Sequence, residues 1–243
     1  VFGFKMIDAR YKGRIGPVNY TAYSDINTSG LGALLKKLRI WAVTKGQYDE
    51  NGLYPLVHTQ QNLDKKSRRV EMNYDYDARK VKVDINPRLG SQGTPPASTQ
   101  QRFDSDDTLS AILAMMMRGT RIDGELCKGT IPVFDSKQHY SLRMERLGTK
   151  TVKYNGEKVE GIKCHIFYEA ISGYDSEDLP SAEEASTPIN VYFAKDTTAN
   201  LYVPVKFTYR ISGFKATIKL SDMRIAVAPK ITIAEGAADS KTD

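Results

Sequence analysis

A mainly β fold is expected: an antiparallel, strongly curved sheet or incomplete β-barrel wrapping one buried α-helix. Three observations predict it. Most of the 243 residues fall into segments that alternate apolar and polar side chains with a period of two and are rich in β-branched and aromatic residues. These segments follow one another without intervening helices, the pattern of an antiparallel meander rather than of a parallel α/β sheet. One segment alone, DSDDTLSAILAMMMRG, has the caps and apolar content of a well-defined helix.

Taken in chain order, NYTAYSDI sets Tyr20, Ala22, Ser24 and Ile26 on one face against Thr21, Tyr23 and Asp25 on the other. SGLGALLKKLRI is expected to open with one helical turn ahead of a strand. RRVEMNYDYDARKVKVDI is a hairpin: Val70, Met72, Tyr74 and Tyr76 recur every second residue, a turn falls at Asp77-Ala78, and Val81, Val83 and Ile85 resume the period. Asn86 to Arg102 is a loop of Pro, Gly, Ser and Gln, long enough to be either mobile or functional. VFDSKQHYSL reads as a strand, a tight turn at Asp135-Ser136 and a second strand, with His139 on a surface; His58, among polar neighbours, also reads as a surface strand residue. KCHIFYEAI, INVYFA, VPVKFTYRI and KATIKLSDMRI are further strands, punctuated by glycines. Asp175 to Thr187 is a second, acidic loop. The pattern ends near Ala228, so residues 1–227 form one β-rich domain and 228–243 a disordered tail.

The helix carries the sharpest information. Asp104, Ser105 or Asp106 can cap it, its first acidic residues suit the positive end of its dipole, and Gly119 stops it. Leu109, Ile112, Leu113 and Met116 share one face, while Ala111, Ala114, Met115 and Met117 cover much of the rest. A helix apolar nearly all round is buried nearly all round. Inside a curved sheet it acts as a plug, with Leu109, Ile112, Leu113, Met115 and Met116 as its plug or ligand-facing residues. Methionine repacks readily around a guest. Together with the loop leading into the helix, this predicts that any lipid enters by displacing the helix.

Composition bounds the function classes. Hydrophobic residues at 40% and charged residues at 26% are globular values, so a disordered chain is excluded. The net charge of +6 is spread along the chain, and its densest cluster, Lys65-Lys66-Ser67-Arg68-Arg69, is short. No zinc-finger spacing, aromatic RNA-binding box or basic helix accompanies it, so no nucleic-acid partner is expected. No apolar run approaches the ~20 residues a membrane helix needs. No glycine-rich phosphate loop opens a helix, and no cofactor is expected. The chain starts without Met or a basic leader, as a mature form that has lost its signal peptide would.

The two cysteines admit three chemistries. Cys127 with His139 as nucleophile and base lacks a helix N-terminus to lower the thiol pKa and any orienting third group. A metal held by Cys127, Cys164, His139 and His165 is opposed by Cys164 and His165 being adjacent in a strand, hence on opposite faces. The favoured reading is a Cys127–Cys164 disulfide formed in an oxidising compartment, against the alternative of two buried free thiols. No catalytic or metal-binding residue is expected, and the protein is read as a non-enzyme.

The ordered segments YKGRIGPVNY, GLYPLVH, DTLSAILAMMMRG, GELCKGTIPVFDSKQHYSL, GIKCHIFYEAISGY and VPVKFTYRISGFKATIKL, from Tyr11 to about Ile225, resemble a domain-of-unknown-function family of exported proteins from Gram-negative bacteria. The family pattern favours Gly after the turn aspartate, where this chain has Ser136. The resemblance implies a periplasmic, non-enzymatic protein of the cell envelope and carries no catalytic residues. Two functions follow as expectations. In the first, the curved sheet binds an envelope lipid, lipoprotein or other amphiphile. In the second, a structural or interaction protein supports the envelope through protein partners without a small-molecule ligand.

Overall fold

Period-two alternation becomes thirteen strands in a computed structural model that describes residues 7–28, 39–63, 67–211, 214–219 and 224–227. The strands are β1 (Ile7–Ile15), β2 (Asn19–Thr28), β3 (Arg39–Tyr48), β4 (Leu53–Asn62), β5 (Arg69–Asp75), β6 (Lys80–Asn86), β7 (Gly129–Phe134), β8 (His139–Tyr154), β9 (Glu157–Ser172), β10 (Ile189–Asp196), β11 (Leu201–Ile211), β12 (Phe214–Lys219) and β13 (Arg224–Val227). Among the described residues α-helices are formed by α1 (Thr99–Phe103), α2 (Thr108–Met117) and α3 (Ala182–Ser186). The helical turn expected at 29–38, part of the basic cluster and the tail from 228 lie outside the described residues.

In place of one curved sheet there are two, ordered β13-β1-β2-β3-β4-β5-β6 and β12-β11-β10-β9-β8-β7, and neither closes into a barrel. Neighbouring strands are antiparallel except for β1 and β13, which pair in parallel. The chain reaches that pairing because KATIKLSDMRI, read as one strand, is divided between the sheets: β12 extends the second and β13 the first. Hairpin chemistry sets the local connections. At the β5–β6 turn the Asp75 carboxylate accepts from Ala78 N at 2.8 Å. The long β8–β9 pair turns at Asn155-Gly156, both with positive φ (49° and 86°), as a two-residue loop requires to match strand twist.

The main apolar cluster joins both sheets through α2. Ile15 and Tyr20 of the first sheet and Ile131, Val133, Val191, Phe193 and Leu201 of the second share it with Leu113 and Met116. Leu109 and Met115 are also buried, and Ile112 is half-buried. The helix cap is Asp107, not Asp104, Ser105 or Asp106. Asp106 is held instead as an isolated bridge to β7: its N–H donates to Pro132 O at 3.0 Å and its carbonyl accepts from Phe134 N at 2.9 Å. That bridge delays the helix by one residue.

The expected loop from Asn86 to Arg102 is shorter, because α1 occupies its end behind a Ser98–Gln101 capping box. The remainder is tied to the end of β9: Thr94 N donates to Tyr174 O at 2.9 Å and Gly173 N to Pro95 O at 2.8 Å. A Cβ at Gly93 would collide with the Gly173 backbone, so the crossing requires glycine. The acidic loop Asp175 to Thr187 is likewise partly ordered, into a 3-10 turn at Ser176–Asp178 and α3. Asp175 and Asp178 there accept from Lys137 Nζ at 2.5 and 3.3 Å.

The Asp135 turn is present, with the Asp135 carboxylate accepting from Lys137 N at 3.0 Å and Gln138 N at 2.7 Å. Ser136 within it has φ 95°, a region that a Cβ makes unfavourable. Ser136→Gly is therefore expected to stabilise the protein by up to about 1 kcal/mol, the relieved strain outweighing the added freedom of the unfolded chain. Urea unfolding midpoints measure this, and a lower midpoint for the variant would show that the turn carries no strain.

Candidate functional site

The N-terminus of α2 meets the first sheet in a buried polar network. Asp107, Thr44 and Ser110 are 0% exposed and His58 1%. Thr44 and His58 are direct cross-strand partners on β3 and β4, and so face the helix together. Thr44 Oγ1 lies 2.7 Å from Asp107 Oδ1 and 2.8 Å from His58 Nδ1. Its single proton goes to the carboxylate, so His58 carries its proton on Nδ1 and donates to Thr44. The same nitrogen is 3.0 Å from Asp107 Oδ1. On the other oxygen, Ser110 Oγ donates to Asp107 Oδ2 at 2.5 Å, which leaves the Tyr20 hydroxyl to donate to Ser110 at 2.7 Å. Leu109 N and Ser110 N complete the cap at 2.9 and 3.2 Å. Tyr20 reaches the network by lying over Gly46 on the next strand, where a Cβ would stand 2.6 Å from its ring.

This constellation contains the residue types of a hydrolytic triad but not its wiring. Both hydroxyls donate directly to the carboxylate, and His58 faces Asp107 through the nitrogen that would have to orient it, so neither hydroxyl has a base to activate it. Every member is closed off from solvent. Burial alone would raise the Asp107 pKa; the hydrogen bond and charge of His58, then Ser110 and Thr44, outweigh it and hold the carboxyl below its ordinary value. The network fastens the helix to β2, β3 and β4.

Beside it opens a cleft of about 430 Å³, lined in part by Tyr76, Arg79 and Phe103. Tyr54, Tyr76 and Phe103 form an aromatic wall, with Tyr54–Tyr76 centroids 6.1 Å apart at 70° and Tyr76–Phe103 centroids 5.3 Å apart at 66°. Arg79 stands in the β5–β6 turn at φ 48°, with its guanidinium 5.0 Å from the Phe103 centroid and donating to Asp104 at 3.2 Å. Arg118, at the end of α2, donates to the Lys128 and Thr130 carbonyls at 2.6 and 3.2 Å. Asp106 also lines the cleft, and its carboxyl makes no hydrogen bond among the described residues. Loss of hydration, then the charge of Asp107, push its pKa up to about 8, with Arg118 opposing. A carboxyl so perturbed in an open cleft is a common mark of a functional site.

The residues singled out from sequence are placed as follows. Cys127 and Cys164 lie at disulfide distance, Cα atoms 5.9 Å apart, both buried. His165 is on the opposite face of β9 from Cys164, and among the described residues no three His, Cys, Asp or Glu side chains converge as metal ligands. Two readings are corrected. His139 is not on a surface: it is 7% exposed, its Nδ1 has no partner among the described residues, and desolvation lowers its pKa. His58 is in the interior, because β4 pairs it with Thr44 and turns both towards the helix. Sequence reasoning missed Asp107 and the cleft. The available signal was Asp107 itself, a preferred N-cap residue type immediately ahead of a helix apolar nearly all round.

Asp106 and Asp107 impose opposite pH dependences. Asp107, with a lowered folded pKa, contributes stability above the ordinary carboxylate range and loses it as pH falls through and below that range. Asp106 ionises near 3.8 when unfolded and at about 8 when folded, so the native state binds more protons between these values and stability falls as pH rises from about 4 to about 8. Asp106→Asn is expected to flatten that fall, whereas Asp107→Asn should cost about 3–5 kcal/mol near neutrality and flatten the acid limb instead. Urea unfolding of both variants and wild type from pH 3 to about 9 checks the pair; parallel curves would refute it.

No curated protein and no solved structure matches this chain, and no helix in the described residues is long and apolar enough to cross a membrane. A family profile described as Protein of unknown function (DUF3108) matches residues 3–219. With nearly its whole length covered, the chain belongs to that family.

Proposed function

We propose that the protein is a non-enzymatic, periplasmic component of the bacterial cell envelope that holds the head of an amphiphile in the cleft beside α2. The cleft carries this reading. At about 430 Å³ it falls within the usual range of small-ligand sites, and it sets an aromatic wall opposite a few polar groups. The two cysteines at disulfide distance support export to an oxidising compartment. Entry by displacement of the helix is replaced here by entry into a formed cleft, because Asp107 anchors α2 and the preceding loop is tied to the end of β9. With Leu113 and Met116 packed between the sheets, the interior leaves little room for an acyl chain, which would lie outside the cleft.

The same filled interior favours a second reading, a structural or interaction protein that acts through a protein partner. Native mass spectrometry of protein purified from the periplasm of its own host, with peptide mapping under non-reducing conditions, separates the two. The expected result is a co-purifying amphiphile and a peptide linking Cys127 to Cys164, a bridge contributing roughly 4 kcal/mol in the chain-entropy model. A ligand-free protein that crosslinks to one partner in cells would favour the second reading, and free thiols would remove the argument for export.

A further inference from the structure

We propose that the cleft recognises a neutral saccharide ring, stacked on Tyr76 and hydrogen-bonded by Asp106 and Arg118. This rests on the reading of the cleft as a ligand site and names the part of the ligand that is recognised.

Charge balance is the first argument. The cations lining the cleft, Arg79 and Arg118, face Asp104, Asp106 and Asp123. Arg79 is already paired with Asp104. The Asp106 carboxyl, whose pKa is pushed up to about 8 by loss of hydration and then by the charge of Asp107, adds little charge at neutrality. An anionic ligand would find no excess of cations, and a cationic one no excess of carboxylates. A neutral ligand leaves no charge uncompensated in a partly dehydrated site.

The shape of the wall is the second. Tyr76 is 38% exposed and stands between Tyr54 and Phe103, which fix its orientation. Its hydroxyl is spent on Pro55 O at 3.0 Å, so what it offers a ligand is ring surface. The C–H face of a sugar packs on such a ring while its hydroxyls point outwards and need both donors and acceptors. Asp106, as a protonated acid without a partner, can donate and accept; the guanidinium of Arg118 has N–H groups beyond the two given to Lys128 and Thr130. The volume suits roughly one or two sugar rings.

A saccharide of this kind could be free or the headgroup of a glycolipid, and the test distinguishes them. Saturation-transfer NMR would be recorded on the full chain with maltose, cellobiose and N,N′-diacetylchitobiose, then with dodecyl maltoside and lauric acid. Wild type is expected to transfer saturation to at least one disaccharide. The signal should vanish in Tyr76→Ala, weaken at least tenfold in Asp106→Ala and persist in Asp106→Asn, which keeps a donor and an acceptor. Should Tyr76→Ala fail to fold by circular dichroism, Tyr76→Leu preserves apolar bulk without the ring and is expected to lose binding equally. Tighter binding of dodecyl maltoside than of maltose identifies a glycolipid head; equal binding identifies a free saccharide. Disaccharide binding that survives loss of the Tyr76 ring overturns the proposal, as does lauric acid binding without any sugar, which would leave the amphiphile reading standing. If no probe binds, both fail.

Discussion

The carboxylate of Asp107 is the constraint on which the interior depends. A full charge withdrawn from water is costly unless its lone pairs are used, and here it is surrounded by donors from two strands and from its own helix. The donors are specific in direction. Tyr20 acts through Ser110, and His58 faces both Thr44 and the carboxylate, so each hydroxyl passes its one proton towards the carboxylate. Moving the helix by a single turn would strand the charge, Thr44 and His58 together. That penalty gives the helix one position against the first sheet, where apolar packing by residues such as Met115 and Met116 would tolerate several.

Two adjacent aspartates acquire opposite properties because the chain changes state between them. Asp106 is still strand-like, bridged to β7 through its backbone, and its side chain finds no donor. Asp107 is the first residue to see the helix N–H groups and the buried hydroxyls. Loss of hydration raises both, and only the second has hydrogen bonds to oppose it. The charge of Asp107 then raises Asp106 further. The buried network thus tunes the cleft without touching it, a division between a positioning interior and a solvent-facing site.

Much of the local structure was legible in the sequence. Val70, Met72 and Tyr74 alternate into the core as their period requires, the Asp77-Ala78 and Asp135-Ser136 turns fall where polar residues interrupt it, and the apolar content of 108–117 marks the helix. What was not legible is long-range. A period of two is the same in one sheet or two, and it does not show that the chain changes sheets between β6 and β7 and again within KATIKLSDMRI. His58 looked exposed because its sequence neighbours are polar, yet its environment is set by cross-strand Thr44 and by a helix that begins nearly fifty residues later. The cleft draws on β4, the β5–β6 turn, α1 and both ends of α2, and no spacing rule predicts such a meeting.

Both sheets are fastened to α2 and its flanking residues. At its start Asp107 binds Thr44 of β3 and His58 of β4, and Ser110 binds Tyr20 of β2. Just beyond its end the chain turns back through Gly119 and reaches Cys127, which is buried at φ 63° beside Cys164 of β9 in the second sheet. A β-carbon residue in the left-handed region is unfavourable on its own, so the contact with Cys164 has to offset it. Arg118, between the two anchors, binds the carbonyls of Lys128 and Thr130 and so reaches β7 as well. Among the described residues the two sheets share no ladder, and the apolar cluster that includes the helix joins them. The cleft lies along this staple, bounded by Asp106 at one end and Arg118 at the other, so its width is set by the same contacts that join the sheets.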